Sequence, residues 1–448
     1  MSSRLGAARM ISRLGVARTI SRPDRVAAAV AVGLFALASL VGAVLTLTDR
    51  PVFATAAPLF AKWLPHAGPG TPLALLVAVL AVTRGPDLAA RLPWRRLLGL
   101  SYLFTVMWTL SLALVDGWQR GIAGRLTTEH EYLHEVPGIT DIPATLATFT
   151  TRILDFQPDS WTTHVSAHPP GALLVFVWLD RIGLGGGAWA GLLCILVAGL
   201  AAVAVPHTVR LLGTDDAARA VVPFVVLFPG AVWTGVSGDG LFMGVTATGI
   251  ALLAHGAVRG RTVAAVAGGA LLGFGCYLSY GLILMGPLAL TVVLLSRRWR
   301  AAGWALAGAL PVAAVFTAFG FDWFDGYHLL IERYYQGIAT DRAYAYWVWA
   351  DLACVVAAAG PVAAVVLRRA VRSVRRLGAA LLPLAAMAAI VAADLSGYSK
   401  AEVERIWLPF SVWLLSGAAL IPPADRRFWL VVQVTVALAV NHLLLTNW

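Results

Sequence analysis

Uninterrupted apolar blocks, separated by short arginine-rich clusters, run through almost the whole of this chain. Crossing a hydrocarbon layer of roughly 30 Å takes about 20 residues of α-helix, and several of the blocks reach that length. Of the 448 residues, 59% are hydrophobic and only 13% are charged, whereas about 25% of a soluble domain is charged. The pattern excludes an ordinary soluble enzyme and predicts an all-α polytopic membrane protein.

The apolar blocks predict thirteen transmembrane helices in a single domain over 26–448, preceded by a basic N-terminal segment over 1–25. The predicted spans are 26–48, 71–84, 97–115, 187–208, 217–235, 239–257, 262–277, 281–296, 300–319, 344–367, 377–394, 406–422 and 427–446. A further apolar stretch at 171–179 is short and ends in Asp180-Arg181. We expect it to lie flat in the membrane interface.

The basic residues decide the orientation. If 171–179 lies flat, most of the 34 Lys and Arg residues fall on the N-terminal side of the membrane. If it spans, the clusters at 259–261, 297–300 and 368–376 move to the other side, which the positive-inside rule disfavours. We therefore predict a plasma-membrane protein with a cytoplasmic N-terminus and an extracytoplasmic C-terminus. Membrane anchoring also accounts for the net charge of +11 without a nucleic-acid partner.

Most of the 23 acidic residues sort to the extracytoplasmic side, although orientation rules do not require this of acids. They lie mainly in three predicted outer loops, at 116–186, 320–343 and 395–405. The short outer turn SGDG adds Asp239 at the beginning of a predicted helix. This distribution predicts chemistry on the outer face of the membrane.

The run EHEYLHE in the first outer loop brings together Glu129, Glu131, Glu135, His130 and His134. On a helix, the second and third of these glutamates would share one face, as would the two histidines. Carboxylates here suit a general base that takes a proton from a hydroxyl group, or oxygen ligation of a divalent cation. The alternative is a solvated amphipathic loop helix.

Three further motifs lie on the same predicted side. His168 opens the HPPG motif, where it can face a phosphate or sugar or simply belong to a turn. Asp239 either caps its helix or shares a metal or acceptor with the first-loop acids. Lys400, Glu404 and Arg405 precede IWLP; the arginine is suited to a lipid phosphate, with the glutamate orienting it. The alternative for these last residues is snorkelling to the headgroups.

In their order and common side, these motifs resemble the GT-C membrane glycosyltransferases. Within that class they resemble enzymes that use polyprenyl-phosphate sugars, such as mannosyl- and aminoarabinosyltransferases and their actinobacterial relatives. The resemblance is best over 97–300. It implies a catalytic base at Glu129 or Glu131, just before Tyr132, with Asp116 as the rival at the end of the third helix. The family usually carries Asp at the first-loop positions.

The resemblance also implies inverting transfer of mannose, or another hexose or pentose, from a polyprenyl-phosphate donor. The acceptor would be a hydroxyl of a cell-envelope glycan, lipid or protein. The implied donor-binding residues are His168, Asp239, Lys400, Glu404, Arg405 and Tyr132. No cofactor is expected except a divalent cation, whose candidate ligands are Glu129, Glu131 and Asp239.

The alternative function is a transporter or a flippase of lipid-linked sugars. Transporters carry ionisable groups near the bilayer midplane on broken helices. In this sequence only Asp351 lies clearly inside a predicted span, close to its outer end. The concentration of acids in the outer loops favours transfer chemistry over transport.

Overall fold

The computed structural model describes residues 20–374 and 378–447, which fold almost entirely as helices. Within this part of the chain, seven helices are long and apolar enough to cross a membrane, and one sharply bent pair would make an eighth crossing. The all-α architecture is therefore confirmed, and the long apolar helices suggest a membrane-embedded protein. Of the predicted N-terminal segment 1–25, residues 1–19 lie outside the described chain.

The first eleven α-helices are α1 (Arg22–Leu47), α2 (Thr71–Arg91), α3 (Trp94–Ala113), α4 (Ile142–Thr148), α5 (Thr163–Ser166), α6 (Pro170–Arg181), α7 (Gly187–Gly199), α8 (Ala201–Leu212), α9 (Asp215–Val226), α10 (Ala231–Thr234) and α11 (Gly238–Arg259). The remaining α-helices are α12 (Thr262–Leu278), α13 (Gly286–Ser296), α14 (Trp299–Ala318), α15 (Trp323–Gln336), α16 (Tyr344–Ala359), α17 (Val362–Ser373), α18 (Leu381–Ser396), α19 (Val403–Ile406), α20 (Leu408–Leu414) and α21 (Arg426–Leu443).

Short 3-10 segments and one π turn complete the helical structure, and two short strands form the sheet. The 3-10 segments are Leu114–Asp116, Arg125–Thr127, Tyr132–His134, Val136–Gly138, Thr150–Arg152, Tyr280–Met285, Ile338–Thr340, Gly378–Ala380, Leu415–Leu420 and Pro423–Asp425, and the π turn is Gln119–Ala123. Strands β1 (Ala61–Trp63) and β2 (Leu444–Thr446) pair antiparallel, with Lys62 opposite Leu445.

The seven long apolar helices are α1, α2, α3 with its 3-10 extension, α7 continuing into α8, α11, α14 and α18 with its preceding 3-10 turn. The other predicted spans coincide with helices that are shorter, broken or less apolar. The predicted interfacial stretch 171–179 lies in α6, whose 12 residues are too few to cross a membrane. Pro170 occupies the first turn of α6, as the HPPG motif predicted.

Two predicted straight spans are interrupted. The helix predicted over 217–235 ends at Val226 and resumes only as the single turn α10. The span predicted over 344–367 consists of α16 and α17, which meet at an angle of 101°. Gly360 and Pro361 form that junction: the glycine has φ 79°, and proline disfavours a helical conformation in the residue before it.

Helices α12 and α14 pack closely because glycines lie at their contact. A Cβ atom on Gly269 would fall 1.9 Å from the carbonyl oxygen of Ala305, and one on Gly308 would fall 1.9 Å from that of Val266. Small residues at such contacts let membrane helices approach backbone to backbone. Larger side chains at either glycine would push the two helices apart.

Ion pairs link the helices at one end of the molecule, which we call the basic end. Asp24 at the beginning of α1 pairs with Arg368 and Arg369 of α17, and Asp87 of α2 pairs with Arg427 at 2.8 Å. Further pairs at this end join Asp215 to Arg210 and Arg219. Arg368 and Arg369 belong to the cluster at 368–376, which the positive-inside rule assigned to the N-terminal side.

The opposite end, which we call the loop end, carries the 49–70 segment, the three predicted outer loops and both strands. The β1–β2 pairing holds the chain after α1 against the chain after α21, so both segments lie at the same end. Irregular backbone from this end reaches α16: Ala401 donates its N–H to Asp351 at 3.1 Å, and Cys354 contacts the carbonyl oxygen of Pro58 at 3.4 Å.

Candidate active site

Six buried or half-buried polar side chains meet at the loop end, and we refer to them as the polar cluster. The first outer loop contributes four of them, the beginning of α11 contributes one, and α19 contributes one. In chain order they are Glu131, Tyr132, His164, His168, Asp239 and Arg405. All except His164 had been singled out from the sequence. Long-range contacts between distant segments bring them together.

Arg405 and Asp239 form the ionic centre of the polar cluster. Arg405 Nη1 donates to Asp239 Oδ2 at 2.6 Å, and both side chains are buried. Burial alone would lower the pKa of Arg405, but Asp239 and Glu402 raise it, so the guanidinium stays charged. Asp239 is not the helix cap considered from the sequence, because Ser237 accepts the N–H of Gly240 in that role.

Glu131 is held by His164. His164 Nδ1 lies 2.9 Å from Glu131 Oε1, while the other carboxylate oxygen, Oε2, is buried and has no hydrogen-bond partner in the described chain. Burial by itself would raise the pKa of Glu131, but His164 and Arg405 bring it below the ordinary glutamate value. The result is a desolvated carboxylate with one free oxygen.

His168 and Tyr132 form the neutral part of the polar cluster. His168 Nδ1 lies 2.8 Å from the carbonyl oxygen of His164 and 2.9 Å from Tyr132 Oη. A carbonyl only accepts, so Nδ1 carries the proton and Nε2 is left as the acceptor. Burial lowers the pKa of His168 to about 4, and it raises that of Tyr132 well above its usual value. Both rings are therefore uncharged near neutrality.

The EHEYLHE run does not form the predicted helix. Glu131 precedes a single 3-10 turn, Tyr132–His134, and a second such turn contains Pro137, so the i, i+4 pairs never share a helical face. Glu129 is 80% exposed and lies 3.7 Å from His130. Glu135 instead accepts the N–H of Thr162 at 2.9 Å. Tertiary hydrogen bonds of this loop override its local helical pattern.

The third outer loop contributes Lys400 and Glu404 as well as Arg405. Lys400 Nζ donates to the carbonyl oxygen of Ala339 at 2.5 Å, and burial together with Arg342 lowers the pKa of Lys400. Glu404 does not make the contact with Arg405 expected from the sequence. Its Oε1 accepts the N–H of Phe60 at 2.9 Å.

Arg342 is a buried residue of this region that the sequence reasoning missed. It donates to Glu402 Oε1 at 3.0 Å and to the carbonyl oxygen of Lys400 at 2.8 Å. In sequence it is one more charged residue of an outer loop, beside Asp341. His164 was missed for a similar reason, because only the fold brings it to Glu131.

Asp116 belongs to a separate network. Its Oδ1 lies 2.8 Å from His66, and its Oδ2 accepts from Arg120 at 3.3 Å and from Arg125 at 3.2 Å. Both arginines also donate to the carbonyl oxygen of Thr446 in β2. Because both carboxylate oxygens are engaged, Asp116 is suited to fastening the C-terminal strand rather than to accepting a proton.

The residues proposed as metal ligands do not form a metal site. Across residues 20–374 and 378–447, no group of three or more His, Cys, Asp or Glu side chains is arranged to hold a metal ion. Glu129 is exposed, while Glu131 and Asp239 pair with His164 and Arg405. The donor set therefore does not fit the expected divalent cation.

Comparison of the sequence with models of known protein families and with functionally characterised proteins gave no match.

Proposed function

We propose that the protein is a GT-C-like glycosyltransferase of the plasma membrane that acts at its extracytoplasmic face. The proposal includes the thirteen-span topology, with the basic end in the cytoplasm and the loop end outside. The donor is a polyprenyl-phosphate-linked hexose or pentose, such as mannose. The acceptor is a hydroxyl group of a cell-envelope glycan, lipid or protein.

One observation carries the proposal: Glu131 is a buried carboxylate with one oxygen fixed by His164 and the other without a described partner. A hydroxyl group that entered the polar cluster would give Oε2 its missing hydrogen bond. Burial makes a general base more effective when its partners keep it ionised. Exposed Glu129 lacks both features, so we assign the base to Glu131.

Basic residues in the polar cluster and in the outer loops next to it support a phosphate-bearing donor. Arg405 remains charged within the polar cluster, while Arg342 pairs with Glu402 and donates to the carbonyl oxygen of Lys400. Buried cations gain from an additional anion. Guanidinium and ammonium groups at this position would stabilise charge on a departing lipid phosphate.

The reaction follows from these roles. Glu131 Oε2 takes the proton of the acceptor hydroxyl, whose oxygen forms a bond to the anomeric carbon. The bond between that carbon and the phosphate oxygen breaks, and its electron pair leaves with the polyprenyl phosphate. A single displacement of this kind inverts the anomeric centre, and no metal is required to balance it.

The direct test uses purified protein in lipid with polyprenyl-phosphate-mannose or polyprenyl-phosphate-arabinose as donor and an envelope extract as acceptor. We expect Glu131→Gln to lower transfer by roughly 10²- to 10⁴-fold, the usual contribution of a general base, with donor binding retained. Glu129→Gln is the matched control and should keep wild-type transfer. Full activity of Glu131→Gln would refute the assigned chemistry.

Transport of a lipid-linked sugar is the second candidate. Asp351 in α16 is buried inside a predicted span, beside irregular backbone and the bent α16–α17 pair, and Asp394 in α18 is buried at the end of another. Ionisable groups and broken helices within the membrane are typical of transporters. Vesicles that move a lipid-linked sugar across the bilayer without transferring it would favour this function.

A further inference from the structure

Glu404 occupies an unusual position for an acidic side chain. It is 0% exposed, its Oε1 accepts the backbone N–H of Phe60, and the thiol of Cys354 lies against its carboxyl group. Its Oε2 has no hydrogen-bond partner in the described chain, and none of the ion pairs there includes this carboxyl group. A fully buried carboxylate without a basic partner is strongly disfavoured.

The basic groups close to Glu404 already have acidic partners. On its own element, Arg405 pairs with Asp239 at 2.6 Å and lies 3.6 Å from Glu402. Arg342 is engaged by Glu402 and by the carbonyl oxygen of Lys400. A negative charge on Glu404 would therefore add to those of Asp239 and Glu402, which already lie beside Arg405.

The elements packed against Glu404 add further acidic groups. Helix α16 presents Asp351, which accepts the N–H of Ala401, and Cys354, whose thiol also contacts the carbonyl oxygen of Pro58. Asp351 lies close enough to both Glu404 and Asp394 of α18 for the carboxyl groups to interact electrostatically. The 49–70 segment contributes backbone groups here, at Pro58 and Phe60.

These surroundings favour the protonated form of Glu404. Burial raises the pKa of Glu404 to about 7, even though the Phe60 N–H stabilises the ionised form. Its charge therefore changes near neutral pH. Because Glu404 adjoins Arg405 in the chain, the change in its charge alters the electrostatic potential at Arg405, where we propose that the donor phosphate binds.

We propose that Glu404 is a proton-binding site that regulates the anion site at Arg405, so that a phosphodiester lipid binds tightly only when Glu404 is protonated. The inference rests on the proposed function for the identity of the lipid. Ionised Glu404 would join Asp239 and Glu402 around Arg405 and repel the incoming phosphate. By linkage, binding of that lipid takes up a proton.

The test measures binding of polyprenyl-phosphate-mannose to the full-length protein in lipid nanodiscs between about pH 5.5 and about pH 8.5. This phosphodiester has no ionisation of its own in that range, so the pH dependence reports the protein. In the wild type we expect affinity to fall above neutral pH, by up to about tenfold per pH unit, the limit for one linked proton. Glu404→Gln, a neutral isostere, should retain the tight binding at every pH.

Glu332→Gln, at an exposed acid of α15, is the matched control and should keep the wild-type slope. A Glu404→Gln protein that titrates like the wild type, or a wild type that binds equally at all pH values, overturns the proposal. Should Glu404→Gln not fold, calorimetry of the wild type in buffers of different ionisation enthalpy decides instead. Uptake of up to one proton per lipid near pH 7 supports the site, and no uptake excludes it.

The two proposals fail in different ways. If lipid affinity changes with pH in a way that depends on Glu404 but no sugar is transferred, the proton site is supported and the glycosyltransferase assignment is wrong. If sugar is transferred but lipid binding does not depend on pH, the assignment stands and the proton site falls.

Discussion

His164 gives Glu131 properties that its neighbours in the EHEYLHE run do not share. The 2.9 Å contact between His164 Nδ1 and Glu131 Oε1 leaves the second oxygen free and keeps the buried carboxyl ionised. Near neutrality, Tyr132 and His168 remain uncharged beside it. A charged base beside these two neutral hydrogen-bonding groups suits the selective removal of one hydroxyl proton.

The pH dependence of transfer tests this arrangement. Because His164 contributes most to lowering the pKa of Glu131, His164→Asn should raise that pKa and move the acid limb of the activity profile to higher pH. Because the pKa of Glu131 is lower in the folded than in the unfolded protein, its ionisation stabilises the fold at pH values above the unfolded-state pKa. This stability is lost as the pH falls through the folded-state pKa. The variant should therefore also lose stability at neutral pH.

His134→Asn provides the comparison, since His134 is an exposed histidine of the same loop. It should leave both the acid limb and the stability unchanged. An unaltered acid limb in His164→Asn would remove His164 from the mechanism, whatever its effect on stability.

At the scale of elements, the break between α16 and α17 directs the chain between the loop end and the basic end. Helix α16 carries Asp351 and Cys354 beneath the irregular backbone of the loop end, whereas α17 presents Arg368 and Arg369 to Asp24. The 101° bend lets α16 contact the loop end while α17 contacts the basic end. Its geometry depends on Gly360.

Gly360→Ala should destabilise the protein by about 1–3 kcal/mol, the usual cost of a side chain in this backbone region. The added Cβ would meet Gln433 and Pro229 at an ordinary 3.6 Å, so the expected cost comes from the backbone conformation at φ 79° and not from a clash. Thermal unfolding in detergent measures the difference.

Gly303→Ala in α14 is the matched substitution, because its Cβ would meet nothing within 4 Å and the residue is helical. Alanine is favoured over glycine inside a helix by about 1 kcal/mol, so this variant should be at least as stable as the wild type. Equal behaviour of the two variants would show that the bend tolerates a side chain.

At the scale of the whole molecule, charge separates the two ends. The basic end gathers arginines from α8, α9, α17 and α21, while the loop end holds the polar cluster and the paired strands. The proposed orientation places the loop end outside the cell. With this orientation, a reagent that cannot cross the membrane should reach exposed side chains at the loop end of intact cells but not those at the basic end.

A membrane-impermeant maleimide should label Glu129→Cys in intact cells and label Arg259→Cys only after permeabilisation. Both positions are exposed, at the loop end and the basic end respectively, and native Cys194 and Cys354 are buried, which limits background labelling. The unsubstituted protein corrects for Cys276, which is half-buried. The reverse labelling pattern would show that the orientation is opposite to the proposed one.

The sequence alone predicted an all-helical protein with apolar segments long enough to cross a membrane, and it indicated the polar segments that meet at the loop end. Both conclusions depend on local quantities: the length of apolar blocks and the positions of arginines between them. Local patterns also indicated Tyr132, His168, Asp239 and Arg405, which do belong to one cluster. The contiguous EHEYLHE run could not distinguish Glu131 from Glu129.

Only the tertiary structure separated those two glutamates, by burying Glu131 against His164 and leaving Glu129 exposed. It likewise engaged Asp116 with the arginines that hold the C-terminal strand, and turned Glu404 toward Phe60 rather than Arg405. Each of these outcomes depends on contacts between segments far apart in the chain. Burial and charge pairing, which set the state of a carboxyl group, arise from such contacts and have no signature in local spacing.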